Sequence, residues 1–278
     1  MIKHDFKDKI VVLTGAGGVL ISQFAKAYAD AGAKVALLDL NREAAKRNAD
    51  EIKASGGIAF AYECNVLKKQ SITDARNQIE KDLGTADILI NGAGGNSPKA
   101  TTDNEFHEET GLEDVKTFFD LDEEGISFVF NLNFLGTLLP TQVFAKDMIG
   151  KKGASILNVS SMNGFTPLTK IPAYSGAKAA ISNFTEWLAV HFSHVNIRVN
   201  AIAPGFLVSN QNRGLLFNED GTPTARANKI LSNTPMGRFG EAEELLGGVL
   251  YLTDETASSF VNGVVLPIDG GFNAYSGV

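Results

Sequence analysis

The sequence predicts a doubly wound α/β fold, a parallel sheet of seven strands with helices on both faces. Three observations predict it. Seven short apolar runs alternate with amphipathic helical stretches, as βαβ units require. The runs are almost continuously apolar, as strands covered on both faces are. A glycine-rich bend, "TGAGGVLI" at 14–21, joins the first run to the first helical stretch. At 278 residues with 44% hydrophobic and 21% charged residues, the chain suits a single unit spanning 1–278.

"KIVVLT" (9–14) is the first expected strand. The stretch "SQFAKAYADAGAK" then carries Phe24, Ala25, Tyr28 and Ala29 at helical spacing and closes on Gly32 as a C-terminal cap. With "KVALLDL" (34–40) it completes a right-handed βαβ unit. "GIAFAYECNV" (57–66), "ADILING" (86–92), "ASILNVSS" (154–161), "NIRVNAIAP" (196–204) and "GVVLPID" (263–269) supply the other five strands. Two polar segments, 95–125 and 206–234, break the rhythm. Both follow the carboxyl ends of strands, where open α/β sheets bind ligands, so they are expected to be functional loops.

A net charge of −7 argues against nucleic-acid binding, which needs clustered Lys and Arg. The single cysteine, Cys64, excludes an intrachain disulfide and a Cys-rich metal site and fits a reducing compartment. The apolar stretch Ile10–Leu13 is far shorter than a signal-peptide core or a membrane span, so a cytoplasmic protein without membrane attachment is expected.

Gly15, Gly17 and Gly18 bend the chain into a helix whose first N–H groups and dipole suit a pyrophosphate. A tight turn without a ligand fits the glycines alone equally well. The second strand, however, ends at Asp39, placed to accept hydrogen bonds from an adenosine ribose. Like charges ~4 Å apart repel by about 1 kcal/mol in water and about 4 at an effective dielectric of ~20, so a 2′-phosphate beside Asp39 is disfavoured and NAD is expected over NADP. Arg42 swinging in to hold NADP, or Asp39 merely capping the next helix, are the weaker alternatives.

In "SSMNGFTPLTKIPAYSGAKAA" (160–180), Tyr174 and Lys178 lie one helical turn apart, with Ser161 upstream at the fifth strand's end. Here the chain resembles the short-chain dehydrogenase/reductase family, whose fold is of the Rossmann type. "NGAG" (91–94), "NFLG" (133–136) and "PGFLVS" (204–209) resemble further motifs of that family, in the same order. The resemblance implies that Asn133, Ser161, Tyr174 and Lys178 are catalytic. Tyr174 would exchange the proton, Lys178 would lower its pKa and hold the nicotinamide ribose, Ser161 would hold the substrate oxygen, and Asn133 would anchor a water. It also implies a dinucleotide site built from Gly15, Gly17, Gly18 and Val19, then Asp39 and Leu40, Asn65 and Val66, and Asn91, Ala93 and Gly94. Pro204, Gly205, Leu207 and Ser209 complete it, with Tyr174 and Lys178. A homotetramer with the helices after the fourth and fifth strands at one interface is implied too.

The chain departs from the family pattern at three places. Val19 and Ile21 fall on its last two glycines, Asn65 stands where Asp is frequent, and Gly92 replaces the second Asn after the fourth strand. The expectation is a first helix seated slightly further from the sheet to fit Ile21.

"NGAGGNSPKATT", "NFLGTLLPTQVF" and the shifted turn resemble the branch of this family that acts as D-mannonate oxidoreductases, or fructuronate reductases. The resemblance implies reduction of D-fructuronate to D-mannonate with NADH, reversibly, in hexuronate breakdown. A sugar acid needs a cation and several hydrogen-bonding groups. Asn96, Ser97, Lys99 and Thr101 in the first loop and Asn210, Gln211, Asn212 and Arg213 in the second are of that kind, with Lys99 and Arg213 the candidates for the carboxylate. His107, Glu108 and Glu109 are consecutive on an acidic segment and are expected to be solvated, so no metal is expected. The same chemistry on another polar carbonyl such as a ketogluconate, and a dinucleotide-binding sensor without turnover, are the alternatives.

Overall fold

The computed structural model describes residues 4–209 and 213–277. Its sheet comprises β1 (Ile10–Thr14), β2 (Lys34–Asp39), β3 (Ile58–Glu63), β4 (Ile88–Asn91), β5 (Ala154–Val159), β6 (Ile197–Pro204) and β7 (Val265–Ile268). All pairings are parallel, in the spatial order β3-β2-β1-β4-β5-β6-β7. The expected strands form where the apolar runs lie. Between β1 and β4 the strand order reverses, so the loops leaving their carboxyl ends diverge and open a crevice.

Strand alternation divides the core. Val11, Leu13, Val35 and Leu37 face α1 (Val19–Asp30) and α2 (Arg42–Ala54), which bury Ile21, Phe24, Tyr28, Ala45 and Ile52 against them. Ile10, Val12, Ala36 and Leu38 face the opposite layer, which begins with α3 (Lys69–Asp82). Gly32, at φ 92°, ends α1 in the left-handed conformation that spares a glycine any Cβ strain.

The opposite layer continues with α4 (Glu123–Phe130), a π-helical turn at Asn131–Leu135 and α5 (Gly136–Met148). Together they form a continuous run of 26 residues, by length and composition apolar enough to cross a membrane; half of its most apolar stretch is buried in this fold. There α5 buries Val143, Phe144 and Met148 in the same cluster as Ile72 and Ile79 of α3. The next helix, α6 (Pro172–His191), opens with Pro172 at its first position, where the missing N–H costs nothing.

Both polar segments are structured. The first is pinned by Asp103 and Lys116, which exchange backbone and side-chain bonds of 2.9 and 2.7 Å. The second carries α7 (Arg213–Leu216) and α8 (Ala225–Ser232), which close a small core of Leu216, Ala227, Ile230 and Phe239. On the α1 side of the sheet lies α9 (Leu246–Thr253), joined to α1 by a buried 2.7 Å hydrogen bond between the Tyr28 and Thr253 hydroxyls.

Candidate active site

A cleft of about 670 Å³ lies at the carboxyl ends of β1, β2, β3 and β4. Of the residues expected around a dinucleotide, Gly15, Gly18, Val19, Asp39, Leu40, Asn65, Val66, Ala93, Gly94, Leu207 and Ser209 line it. Its floor has no room for side chains. Gly15 holds φ 72°, and a Cβ there would come within 2.9 Å of the Ala93 backbone. Gly17 sits under Asp39, and its N–H donates to the Asp39 carboxylate at 2.9 Å. The other Asp39 oxygen accepts from the Asn41 N–H at 2.8 Å. It is Asn41 that caps α2, accepting from the Ala44 N–H at 3.1 Å, so Asp39 is not spent as a cap.

The two departures in the glycine turn and after β4 belong together. Ile21 is buried, and a Cβ at position 92 would fall 2.2 Å from its Cδ1. The Ile21 side chain occupies the space that a residue at 92 would otherwise fill. The expected withdrawal of α1 is therefore not needed, because glycine after β4 makes the room.

Asn91 is not directed at the cleft. Alternation puts it on the same face as Leu89, where its Nδ2 donates to Thr141 Oγ1 and Asn158 Oδ1, each at 2.9 Å. Asn158 passes the chain on to Thr185 Oγ1, also at 2.9 Å, so buried amides and hydroxyls tie β4 and β5 to α5 and α6. Pro204 ends β6 opposite Ile268, and Gly205 lies so close to Asp269 that a Cβ would meet its Cα at 2.5 Å. Those two shape the strand end rather than the wall of the cleft. Phe128 and Leu132, which do line the wall, were not distinguishable in sequence from ordinary core residues of an apolar helix.

Ser161, Tyr174, Lys178 and Asn133 do not line this cleft; Asn133 and Lys178 lie directly behind Gly94, which does, and Tyr174 and Ser161 adjoin Lys178. Ser161 follows β5, and its hydroxyl lies beside the Tyr174 phenol. Burial pushes the phenol above its ordinary pKa, and the Ser161 contact draws it partly back. Lys178 Nζ lies 5.5 Å from the Tyr174 ring centre and donates to the Val159 carbonyl at 2.8 Å. Burial lowers its ammonium to about 8. The helix is fixed at Lys178 from behind. Ser160 Oγ donates to the Lys178 carbonyl at 3.1 Å and bonds Ser182 Oγ at 2.7 Å. Gly94 lies between the two remaining members: a Cβ there would stand 2.7 Å from Asn133 Oδ1 and 3.3 Å from Lys178 Nζ.

Asn133 sits in the π-helical turn. Its Nδ2 donates to the Gly95 carbonyl at 2.7 Å and to the Val129 carbonyl at 2.8 Å. Its Oδ1 accepts from the Gly95 N–H at 3.3 Å. The side chain thus clamps the loop that follows β4, and the widened turn supplies the space; such turns recur at functional sites.

The expected substrate residues are less convergent. Asn96 Nδ2 donates to Thr101 Oγ1 at 3.1 Å, within its own loop. Lys99 Nζ lies 4.0 Å from Asp122. The Arg213 guanidinium rests over the Phe217 ring at 5.2 Å. Neither cation lines a described cavity, and Asn210, Gln211 and Asn212 lie outside the described residues. Other cations do. Lys170, Arg226 and Lys229 line a cavity of about 420 Å³ with Thr101, Phe206 and Phe272. The sequence signal for them was present: Arg226 and Lys229 are three apart behind a helix-capping Thr224, on one face of α8.

Residues 9–218 match the family described as short chain dehydrogenase. An uncharacterised oxidoreductase of Haemophilus influenzae is 70% identical over 275 residues, covering 99% of this chain and 96% of that protein. The uncharacterised oxidoreductase UxuB of Bacillus subtilis is 50% identical over 277 residues, 100% and 99% of the two chains. A crystal structure from Haemophilus influenzae with bound NAD, of a protein described provisionally as a D-mannonate oxidoreductase, superposes with a TM-score of 0.97. It is 70% identical and covers 99% of this chain and 98% of its own. With its parallel sheet and relatives matched end to end, this chain belongs to the short-chain dehydrogenase family and is an oxidoreductase of that family.

Proposed function

We propose that the protein is an NAD(H)-dependent oxidoreductase of a polar carbonyl, interconverting D-fructuronate and D-mannonate. The observation that carries the reading is a buried phenol beside Ser161, one helical turn from a buried amine that lies behind Gly94 of a glycine-floored cleft.

The residues present fit a nicotinamide dinucleotide. At Gly15, Gly17 and Gly94 a Cβ would collide with its surroundings, so backbone is laid bare to a ligand there. The start of α1 offers N–H groups without a side-chain cap, which suits a pyrophosphate. NAD is preferred over NADP because Asp39 is paired across the sheet with Glu63. Arg42 shares a surface hollow with Asp39, Glu43 and Glu63, three carboxylates that disfavour a further anion beside it. A bound dinucleotide would supply or accept the hydride at the substrate carbon.

Tyr174 gives its proton to the substrate oxygen in reduction and takes it back in oxidation. With burial holding it neutral at neutral pH, its resting state is the proton donor, which serves reduction. Ser161 holds the same oxygen against the charge that develops on it. Lys178, mostly an ammonium below about pH 8, stabilises the phenolate once the proton has left. Asn133 keeps Gly94 and Gly95 in place between itself and the amine.

Support for the sugar-acid substrate comes from the polar loops and from the resemblance to the Haemophilus protein with bound NAD. The test is NADH oxidation, followed by absorbance, with fructuronate, tagaturonate and 5-ketogluconate. Fructuronate is expected to be the best substrate; tight NADH binding with no turnover of any carbonyl would leave a dinucleotide sensor instead. A homotetramer is proposed as well, since α6 exposes Trp187 and Val190, and light scattering on the purified protein measures it.

A further inference from the structure

We propose that the cavity between the loop after β4, the loop before α6 and helix α8 is the subsite for the substrate's carboxylate, with Lys170 and Arg226 as its anion-binding groups. This deepens the sugar-acid reading and rests on it.

The cavity is next to the reacting groups. Its wall includes Leu168 to Ile171, and Ile171 directly precedes α6, in which Tyr174 is the third residue. It also shares one stretch of chain with the cofactor cleft: Phe206 lines the cavity, while Leu207 and Val208 line the cleft. A carbon chain held by its carbonyl at Tyr174 therefore has this cavity beside its far end.

The charge there is the reverse of the chain's. In a protein of net charge −7, three cations face the cavity against one acid, Glu105. Glu105 is consumed by a short ion pair with Lys229. Among the described residues neither Lys170 nor Arg226 forms a close ion pair, although Lys170 stands near enough to Glu105 to add, after Lys229, to the pull that holds its carboxyl below the ordinary range.

The position of Lys170 is enforced. It holds φ 72°, in the left-handed region that side-chain-bearing residues rarely adopt. Its carbonyl accepts from the Thr102 N–H at 2.9 Å, which ties the loop after β4 to the loop before α6. Backbone strain of this kind persists where the surroundings over-determine it, and it concentrates at ligand clamps. Thr101, Thr169 and Asn233 add hydrogen-bonding groups, and Ile230 and Phe272 add an apolar floor. Cations from two facing segments, hydroxyls and an amide beside them and nonpolar side chains suit a hydroxylated chain ending in a carboxylate; a steroid or acyl chain would leave those charges unpaired.

The test titrates D-gluconate and D-sorbitol, the same carbon chain with and without the carboxylate, into the protein by calorimetry, with and without saturating NADH. Charge-assisted bonds predict gluconate tighter by about tenfold or more in the wild type. Arg226→Gln and Lys170→Gln should each weaken gluconate by about fivefold or more and leave sorbitol and NADH unchanged. Arg226→Lys should restore much of the loss, which separates a lost charge from a collapsed loop. Lys99→Gln and Arg213→Gln should have no effect. Equal binding of the two ligands by the wild type, or wild-type gluconate binding by Arg226→Gln and Lys170→Gln, would overturn the proposal. If the carboxylate is discriminated but no keto sugar acid is reduced, the oxidoreductase reading fails while this subsite stands.

Discussion

Replacing Gly92 by Ala tests whether Ile21 and Gly92 are a matched pair. The new methyl carbon would stand 2.2 Å from Ile21 Cδ1, 2.5 Å from Cγ1 and 2.9 Å from the Thr14 carbonyl oxygen. Ordinary carbon contacts are about 3.5–4.0 Å, so Ile21 must retreat by more than about 1 Å from a site where it is already buried. Overpacking of that kind costs about 1–3 kcal/mol, and the backbone oxygen on the other side argues for the upper end. Ile21→Ala alone should cost about 2–5 kcal/mol through the cavity it leaves. In the double variant the methyl at 92 enters that cavity, so the combined loss should fall short of the sum by at least about 1 kcal/mol. Urea denaturation of the four proteins measures the cycle, and NADH titration follows the glycine turn that α1 carries. NADH binding should weaken in Gly92→Ala and recover in part in the double variant. Losses that add to within about 0.5 kcal/mol would refute the pairing.

Three other outcomes are expected. Tyr174→Phe should keep NADH affinity within about twofold and lower turnover by at least about a hundredfold, as removal of a general acid does; a stopped assay with NADH detection checks it. Asp39→Ala should weaken both dinucleotides by loosening the turn at Gly17, but the ratio of NADH to NADPH affinity should shrink, because the repulsion it removes acts on NADPH alone. Lys178→Met should abolish activity and also change how stability varies with pH. The ammonium's folded value, about 8, lies below its ordinary value of about 10.4, so the folded state is penalised by roughly 3 kcal/mol while the amine is charged, less about 1 kcal/mol for the hydrogen bond to Val159. That penalty is complete below about pH 8 and fades as pH rises to about 10.4, so Lys178→Met should gain most on the wild type near neutral pH. Denaturant midpoints at neutral pH and at about pH 10 measure the difference; the same gap at both would refute it.

The strands, the crevice and the spacing of Ser161, Tyr174 and Lys178 were legible because each is a local pattern: apolar runs, a glycine bend, one helical turn. Asp39 was legible for the same reason, as the last residue of a strand. What escaped depended on contacts between distant parts of the chain. Ile21 looked like a misfit until Gly92 was seen to vacate its space. Asn91 belonged to a motif expected at the cofactor, yet strand alternation turns its side chain into the α5 layer. Lys99 and Arg213 were chosen as loop cations, but nothing in a loop's composition says which cavity it will border. Lys170, Arg226 and Lys229 come from two segments that only folding brings face to face.

The widened turn at Asn131–Leu135 constrains how this chain can change in length. Gly125, Val129, Asn133, Thr137, Thr141 and Ala145 are all buried and recur at every fourth position. A regular α-helix advances about 100° per residue, so a stripe of fourfold period would wander off its face within a few turns. One loosely wound turn takes up part of that drift, and the same edge stays turned inward, against the loop after β4 and α6 at its start and against β4 and β5 further on. Removing any one amino acid from this segment would swing everything downstream by about a quarter-turn, carrying Thr141 away from Asn91 and uncovering the sheet. Substitutions can accumulate here, but the count of residues is locked.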